Sequence, residues 1–261
     1  MSFIEKYVVE PLRYAFSDGW KLLIGILLLV FNNIITIFLY LMFIETSPYI
    51  SIVISLINFF VSIVILGYYI GVIKNTLKGL DILPDWSNLG EIVKDGILYI
   101  FALIILYTLA FLPAILILKV GSSLTIGGDV SFSSSYYSNL STIFASIFLL
   151  LTVVLSYVVM AVTVLWVYTP LATVNFAKKG FSGFFEIRDI LKKKISLDYI
   201  VILVLYSIIY WIIGLLLGIF GIIPIIGTAI SLVYFYMFYF IFSIVFFRAV
   251  SKYYLKKERG E

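Results

Sequence analysis

The chain has 261 residues, of which 63% are hydrophobic and 12% charged, with a formal net charge of +4, no Cys and no His. A soluble domain carries about a quarter charged residues, so an ordinary soluble fold is excluded. The missing Cys excludes disulfides and thiolate chemistry, and the missing His removes the commonest general base and metal ligand.

In chain order, residues 3–16 come first. Phe3, Ile4, Tyr7, Val8, Leu12 and Ala15 repeat at helical spacing, with Glu5, Lys6, Glu10 and Arg13 mostly elsewhere. This predicts an amphipathic helix along the membrane surface, ended by Asp18-Gly19. A charge-free run follows from Leu22 to Ile44, and a second from Tyr49 to Ile73. The first is expected to act as its own uncleaved insertion signal. The 74–96 loop is basic, and Asn88 with Glu91 predicts a capping box opening a short helix that Asp95-Gly96 breaks. The third run spans Ile97 to Leu118. Beyond it, residues 119–141 hold eight Ser and the pair Gly127-Gly128. Leu124, Ile126, Val130 and Phe132 flank that pair in alternation, which predicts a small β-hairpin.

The fourth run spans Thr142 to Thr169. The loop after it, residues 175–198, predicts an amphipathic helix over Phe181 to Lys194, with Phe184, Ile187 and Leu191 on one face. Lys192, Lys193 and Lys194 are candidate contacts to anionic lipid headgroups. The fifth run, Tyr199 to Gly221, and the sixth, Ile225 to Phe247, meet at a tight turn marked by Gly221, Pro224 and Gly227.

Each of the six runs has 22 or more residues, enough to cross a hydrocarbon core of roughly 30 Å. The fold class is therefore an all-α integral membrane protein forming one membrane domain, residues 1–261, with six transmembrane helices and amphipathic surface helices. Lys and Arg fall almost wholly on one side: 17 of 18 lie in the termini and the 74–96 and 175–198 loops, and Lys119 alone lies in the other connections. By the positive-inside rule both termini are cytoplasmic. The excess positive charge reads as membrane placement, with no nucleic-acid partner expected.

Ionisable groups inside a membrane mark proton relays and ion paths. No Asp, Glu, Lys or Arg lies within the six runs, so a proton-coupled pump is not expected. Nor is an enzyme, because the carboxylates are scattered among loops; no cofactor or metal is expected either. The polar residues inside the spans fall in stripes. Asn32, Asn33, Ser55, Asn58, Ser62 and Ser156 are candidates for a polar path, against the alternative that they join helices. Tyr206, Tyr210, Trp211, Tyr234, Tyr236 and Tyr239 stand near mid-membrane, where a hydroxyl needs a partner or a wet cavity. They are a candidate ligand pocket. Gly214 and Gly218 form a small-xxx-small pair.

Asn75-x-x-Lys78-Gly79 through Asp95 resembles Asn175-x-x-Lys178-Lys179-Gly180 through Asp198, close to 100 residues later. The segment ending at Asp18-Gly19 looks like a truncated third copy. An internal repeat of surface helix plus helical hairpin is the expectation.

Gly67-Tyr68, Gly79, Leu83-Pro84-Asp85-Trp86, Gly90-Glu91 and Asp95-Gly96 resemble the signature of an uncharacterised archaeal and bacterial multi-pass membrane family, the domain of unknown function four-zero-one-three. Pro170, Asn175 and Gly180 fit its pattern too. The resemblance covers most of the chain and implies a prokaryotic, by preference archaeal, plasma-membrane protein. It implies no activity and no catalytic residue. Within the signature loop, Gly79 permits a turn, Pro84 stiffens the approach, Trp86 anchors in the interface, and Glu91 and Asp95 share a helix face as caps or lysine partners. The expected function is passive handling or transport of a small neutral or amphipathic molecule or lipid. The rival is a scaffold that forms a homo-oligomer or membrane complex through its surface helices. Membrane lipids are partners in either case.

Overall fold

A computed structural model describes residues 2–43, 48–126, 136–220 and 226–260. Six helices are long and apolar enough to cross a membrane: α2 Gly19–Phe43, α3 Pro48–Leu77, α4 Leu89–Ile126, α5 Tyr136–Lys179, α7 Leu197–Phe220 and α8 Ile226–Glu258. Two shorter helices are α1, Glu10–Ala15, and α6, Ile187–Asp189. No strand occurs among the described residues.

Long runs of Leu, Ile, Val and Phe make these helices apolar on all sides, as a helix solvated by lipid requires. The lipid-facing side chains stay exposed in the isolated chain, Phe38, Phe60, Phe148 and Leu215 among them. Two compact units form: residues 1–100 with 169–261, and residues 101–168. In the smaller unit Tyr157 donates its hydroxyl to the carbonyl of Ala110 at 2.8 Å, and Tyr107 stacks on Phe111.

The larger unit is organised by α8, which packs against α1, α2, α3 and α7. Gly25 of α2 lies under the ring of Phe240, where a Cβ would come within 2.0 Å. The N-terminal segment, a π-type turn at Glu5–Val9 followed by α1, buries Tyr7, Tyr14 and Ala15 while Ile4, Leu12 and Phe16 stay outside. It is therefore seated in the protein on one face. Asp18 Oδ1 accepts the backbone N–H groups of Trp20 and Lys21, both at 3.1 Å, and so caps α2.

Three local expectations are corrected. The helix starting at Leu89 is not short: α4 runs unbroken through Asp95-Gly96, because Gly96 serves a helix crossing described below rather than a break. The amphipathic stretch 181–194 is not one helix. It is a 3-10 turn Phe181–Phe185, the three-residue α6 and a π-type turn Ile190–Lys194. The bend falls at Glu186, whose carboxylate is drawn back to Lys179 and Asn175. Its buried large hydrophobic residues are Phe184 and Ile190, while Ile187 and Leu191 are exposed. The hairpin's first arm is helical, since α4 extends through Leu124 to Ile126. Its turn and second arm, like Gly221 and Pro224, lie outside the described residues.

Candidate functional site

The signature loop and the helices that flank it line a half-open cavity of about 340 Å³. Its origin is a backbone crossing. At Gly67 of α3 an added Cβ would stand 1.8 Å from the carbonyl oxygen of Ile92. At Gly96 of α4 it would stand 2.0 Å from that of Ile63. Only glycine permits helices this close, and the approach brings Cα–H groups to carbonyls. Past the crossing, α3 ends at Gly79 with φ +74°, where the N–H of Leu80 returns to the carbonyl of Asn75 at 2.9 Å. That is a left-handed helix stop. The chain then folds back along α3. Pro84 rests on Gly71, Leu83 is buried, and the indole of Trp86 stacks on Tyr68 at 4.0 Å. The Trp86 N–H donates to the carbonyl of Lys21 at 2.9 Å.

Three cations and three carboxylates line this cavity: Lys21, Lys74 and Lys78, with Asp85, Glu91 and Asp95. Lys74 is bound to Asp95 at 2.6 Å and to Glu91 at 3.3 Å. Glu91 also accepts from the Asn88 amide at 2.9 Å. Lys21 donates to the carbonyl of Leu83 at 3.2 Å and stands 3.9 Å from Asp85 and 3.6 Å from Asp18. The N–H of Ser87 donates to Asp85 and holds its carboxyl below the usual carboxylate range, so the group stays ionised. Lys78 is exposed and has no acidic partner among the described residues. Ile82, Leu83 and Pro84 supply an apolar wall.

Arg248 of α8 braces the cavity from behind, at 2% exposure. Its guanidinium donates to Thr76 Oγ1 at 3.1 Å, the carbonyl of Leu80 at 2.9 Å, Glu10 at 2.9 Å and Asp81. It also lies over the Tyr14 ring at 4.2 Å. One side chain thus ties α1, the signature loop and α8 together. Lys252 adds a second contact to Glu10 at 2.5 Å. Tyr14 donates its hydroxyl to the carbonyl of Ile82 at 3.0 Å, and burial pushes that hydroxyl's pKa up. Sequence reasoning placed Arg248 among the charges of the tail. The available signal was an Arg directly after an apolar run, with Glu10 and Asp81 as unassigned acids.

The second basic loop also opens at a glycine with positive φ, although its backbone bond differs: the Gly180 N–H goes to the carbonyl of Phe176 at 2.7 Å. Gly180 has φ +79°, and Asn175 donates to the carbonyl of Gly183 at 2.7 Å, as Asn75 donates to that of Ile82 at 3.1 Å. Asn175 is buried, also donates to Glu186 at 3.0 Å, and accepts from the Tyr254 hydroxyl at 2.6 Å.

The other sequence candidates fall in separate places. Asn32 donates to Asn58 at 2.6 Å, and Thr36 and Asn58 exchange contacts at 3.1–3.2 Å, which joins α2 to α3. Asn33, Ser55 and Ser62 each donate to the carbonyl four residues back in their own helix. So does Ser156 in the smaller unit. Of the aromatic group, Tyr206 is buried and donates to the carbonyl of Tyr7 at 2.6 Å. Tyr210 packs on Phe238 and Phe242. Trp211, Tyr234 and Tyr239 are exposed and Tyr236 half-buried. Lys192 is exposed, the side chain of Lys193 lies outside the described residues, and Lys194 is not at the surface. Lys194 stacks on Tyr254 at 4.0 Å and pairs with Glu258 at 3.1 Å, so its ammonium is already satisfied. Trp86 is half-buried, with its ring on Tyr68. Gly79, Pro84, Glu91 and Asp95 stand together around the cavity, and Glu91 and Asp95 serve as lysine partners.

Residues 50–222 match the model of a family described as a protein of unknown function (DUF4013). Two uncharacterised proteins of Methanocaldococcus jannaschii are similar. MJ0233 is 32% identical over 83% of this chain and 77% of its own length; MJ1189 is 34% identical over 65% of this chain and 56% of its own. No solved structure matches the chain.

Proposed function

The chain belongs to the DUF4013 family, and from that premise we propose that it is a passive handler of a small amphipathic molecule, a lipid by first preference, whose polar end sits in the cavity between α3, α4 and the signature loop. The observation that carries this reading is the lining of that cavity: charges of both signs beside an apolar wall of Ile82, Leu83 and Pro84. A polar head with an apolar body meets both kinds of surface there. At about 340 Å³ the cavity lies at the low end of the roughly 300–1,000 Å³ typical of ligand sites, so a headgroup fits it and a large hydrophilic solute does not. Both termini and the two basic loops face the cytoplasm of an archaeal plasma membrane, on the charge asymmetry of the sequence. In both loops an Asn amide, Asn75 or Asn175, donates to a carbonyl beyond a glycine of positive φ, and this likeness supports an internal repeat of the two loops.

No step in this reading is enzymatic or proton-coupled. The wall carboxylates are engaged by lysines, and the spans between the charged ends carry no Asp, Glu, Lys or Arg. Purified protein in proteoliposomes tests the function. Transfer or exchange of a labelled lipid above empty vesicles, unchanged when a pH gradient is imposed or collapsed, is the expected result. No transfer over a broad lipid and neutral-solute panel, with a closed oligomer or partner complex recovered instead, would turn the reading toward a scaffold.

A further inference from the structure

We infer that the cavity at the signature loop takes a zwitterion, a ligand carrying an anionic oxyacid and an ammonium group within one head. This rests on the proposed function and names its ligand class. The lining contains three cations and three anions, so a ligand with net charge would lose hydration without a net Coulombic gain. A dipolar head can be matched at both ends.

The contacts sort which residue takes which end. Lys74 is spent: it holds Asp95 at 2.6 Å, and that carboxylate is only 14% exposed. Lys21 is held by the Leu83 carbonyl and faces Asp18 and Asp85. Lys78 alone among the three is exposed with no acidic partner among the described residues, and it is the group that would meet the oxyacid. On the acidic side, Glu91 and Asp85 are 56% and 67% exposed, and their lysines stand at the longer distances of 3.3 and 3.9 Å. Each has lone pairs free for a second cation, so the ammonium goes to them. Asn88, which already orients Glu91, fixes that carboxylate for the purpose. The same chemistry arrives either as a phosphatidylethanolamine headgroup or as free glycerophosphoethanolamine, both phosphodiesters whose single negative charge balances the ammonium, unlike a phosphate monoester.

Trp86 reports occupancy, because its N–H is bonded to the backbone of Lys21, a residue of the cavity wall. Replacing Trp20, Trp166 and Trp211, all exposed, by Phe leaves Trp86 as the sole indole. In nanodiscs of phosphatidylglycerol, adding glycerophosphoethanolamine should shift its emission saturably, whereas phosphate or ethylamine alone should not. Lys78→Gln and Glu91→Gln should each weaken the response by about tenfold, since each removes a hydrogen bond to a charged group. Discs of phosphatidylethanolamine should suppress the response to the free compound if headgroups occupy the site, and leave it intact if the free zwitterion is the ligand. Equal responses to phosphate alone, or an unaltered response in Lys78→Gln, would overturn the assignment. Lipid retained by the protein in native mass spectrometry without preference for zwitterions would defeat this inference and leave the broader function standing; no retained lipid of any kind would defeat that function itself.

Discussion

Replacing Gly67 by Ala should separate α3 from α4 and destabilise the cavity that they form. The new Cβ would lie 1.8 Å from the Ile92 carbonyl oxygen, against an ordinary contact that begins at 3.4 Å. The opposing atom is backbone, so no side-chain rotation relieves the clash, and the helices must part by roughly 1.5 Å. Overpacking of this kind costs about 1–3 kcal/mol, and a backbone clash belongs at the upper end. Loss of the close Cα–H contacts adds about 0.5–1 kcal/mol, and the helix propensity of Ala returns about 1 kcal/mol. The net expectation is about 3 kcal/mol. At about 2–4 °C per kcal/mol for a chain of this size, Tm should fall by about 6–12 °C. Gly214→Ala is the matched control: nothing stands within 4 Å of its Cβ position, so it should be neutral or slightly stabilising. Thermal unfolding in detergent, followed by intrinsic fluorescence, reads both variants. Equal Tm values for Gly67→Ala and Gly214→Ala would refute the crossing.

Four further outcomes are expected. Arg248→Ala opens a buried hole and leaves Thr76 and the Leu80 carbonyl without their donor, while Lys252 still holds Glu10 and Asp81 is exposed, so it should cost about 1–3 kcal/mol, seen as a Tm loss larger than that of Lys252→Ala. Asn175→Leu abolishes three contacts of a buried amide and should cost about 1–3 kcal/mol, while Asn58→Leu, in a contact between spans worth about 0.6 kcal/mol per bond, should cost visibly less; the two Tm shifts decide the order. Glu186 has its pKa lowered first by the Lys179 contact and then by Asn175. A lowered pKa stabilises above the unfolded value near 4.5 and loses that contribution as pH falls through the folded value. Glu186→Gln should therefore lower Tm at neutral pH, where the ionised carboxylate contributes, and leave it little changed well below pH 4.5, so that the acid limb flattens. Because the chain has no Cys, a single Cys at Lys94 should react with impermeant maleimide only from the cytoplasmic side of inside-out vesicles, and labelling of intact cells would reverse the proposed orientation.

The six spans were legible because lipid imposes length and apolarity on each helix separately. The break at Asp18-Gly19 and the Gly79 turn were legible because they too are local. Gly96 was misread because a glycine after an aspartate looks like a break, whereas here it admits the backbone of α3 at Ile63. The stacking of Trp86 was not legible because its partner, Tyr68, belongs to the preceding helix and only the folded loop brings the two rings together. Arg248 could not be separated from the other basic residues of the tail: its partners Glu10 and Asp81 are 238 and 167 residues away. The stripe of Asn32 and Asn58 was visible, but only the pairing of α2 with α3 shows that it joins helices.

The most direct test of a headgroup site at the signature loop is photocrosslinking with a headgroup-labelled zwitterionic diazirine lipid, followed by peptide mapping. Adducts concentrated in residues 74–95, and lost in Gly67→Ala, are the predicted result. Adducts concentrated on α7 and α8 around Tyr210, Trp211 and Tyr236, with residues 74–95 unlabelled, would contradict it.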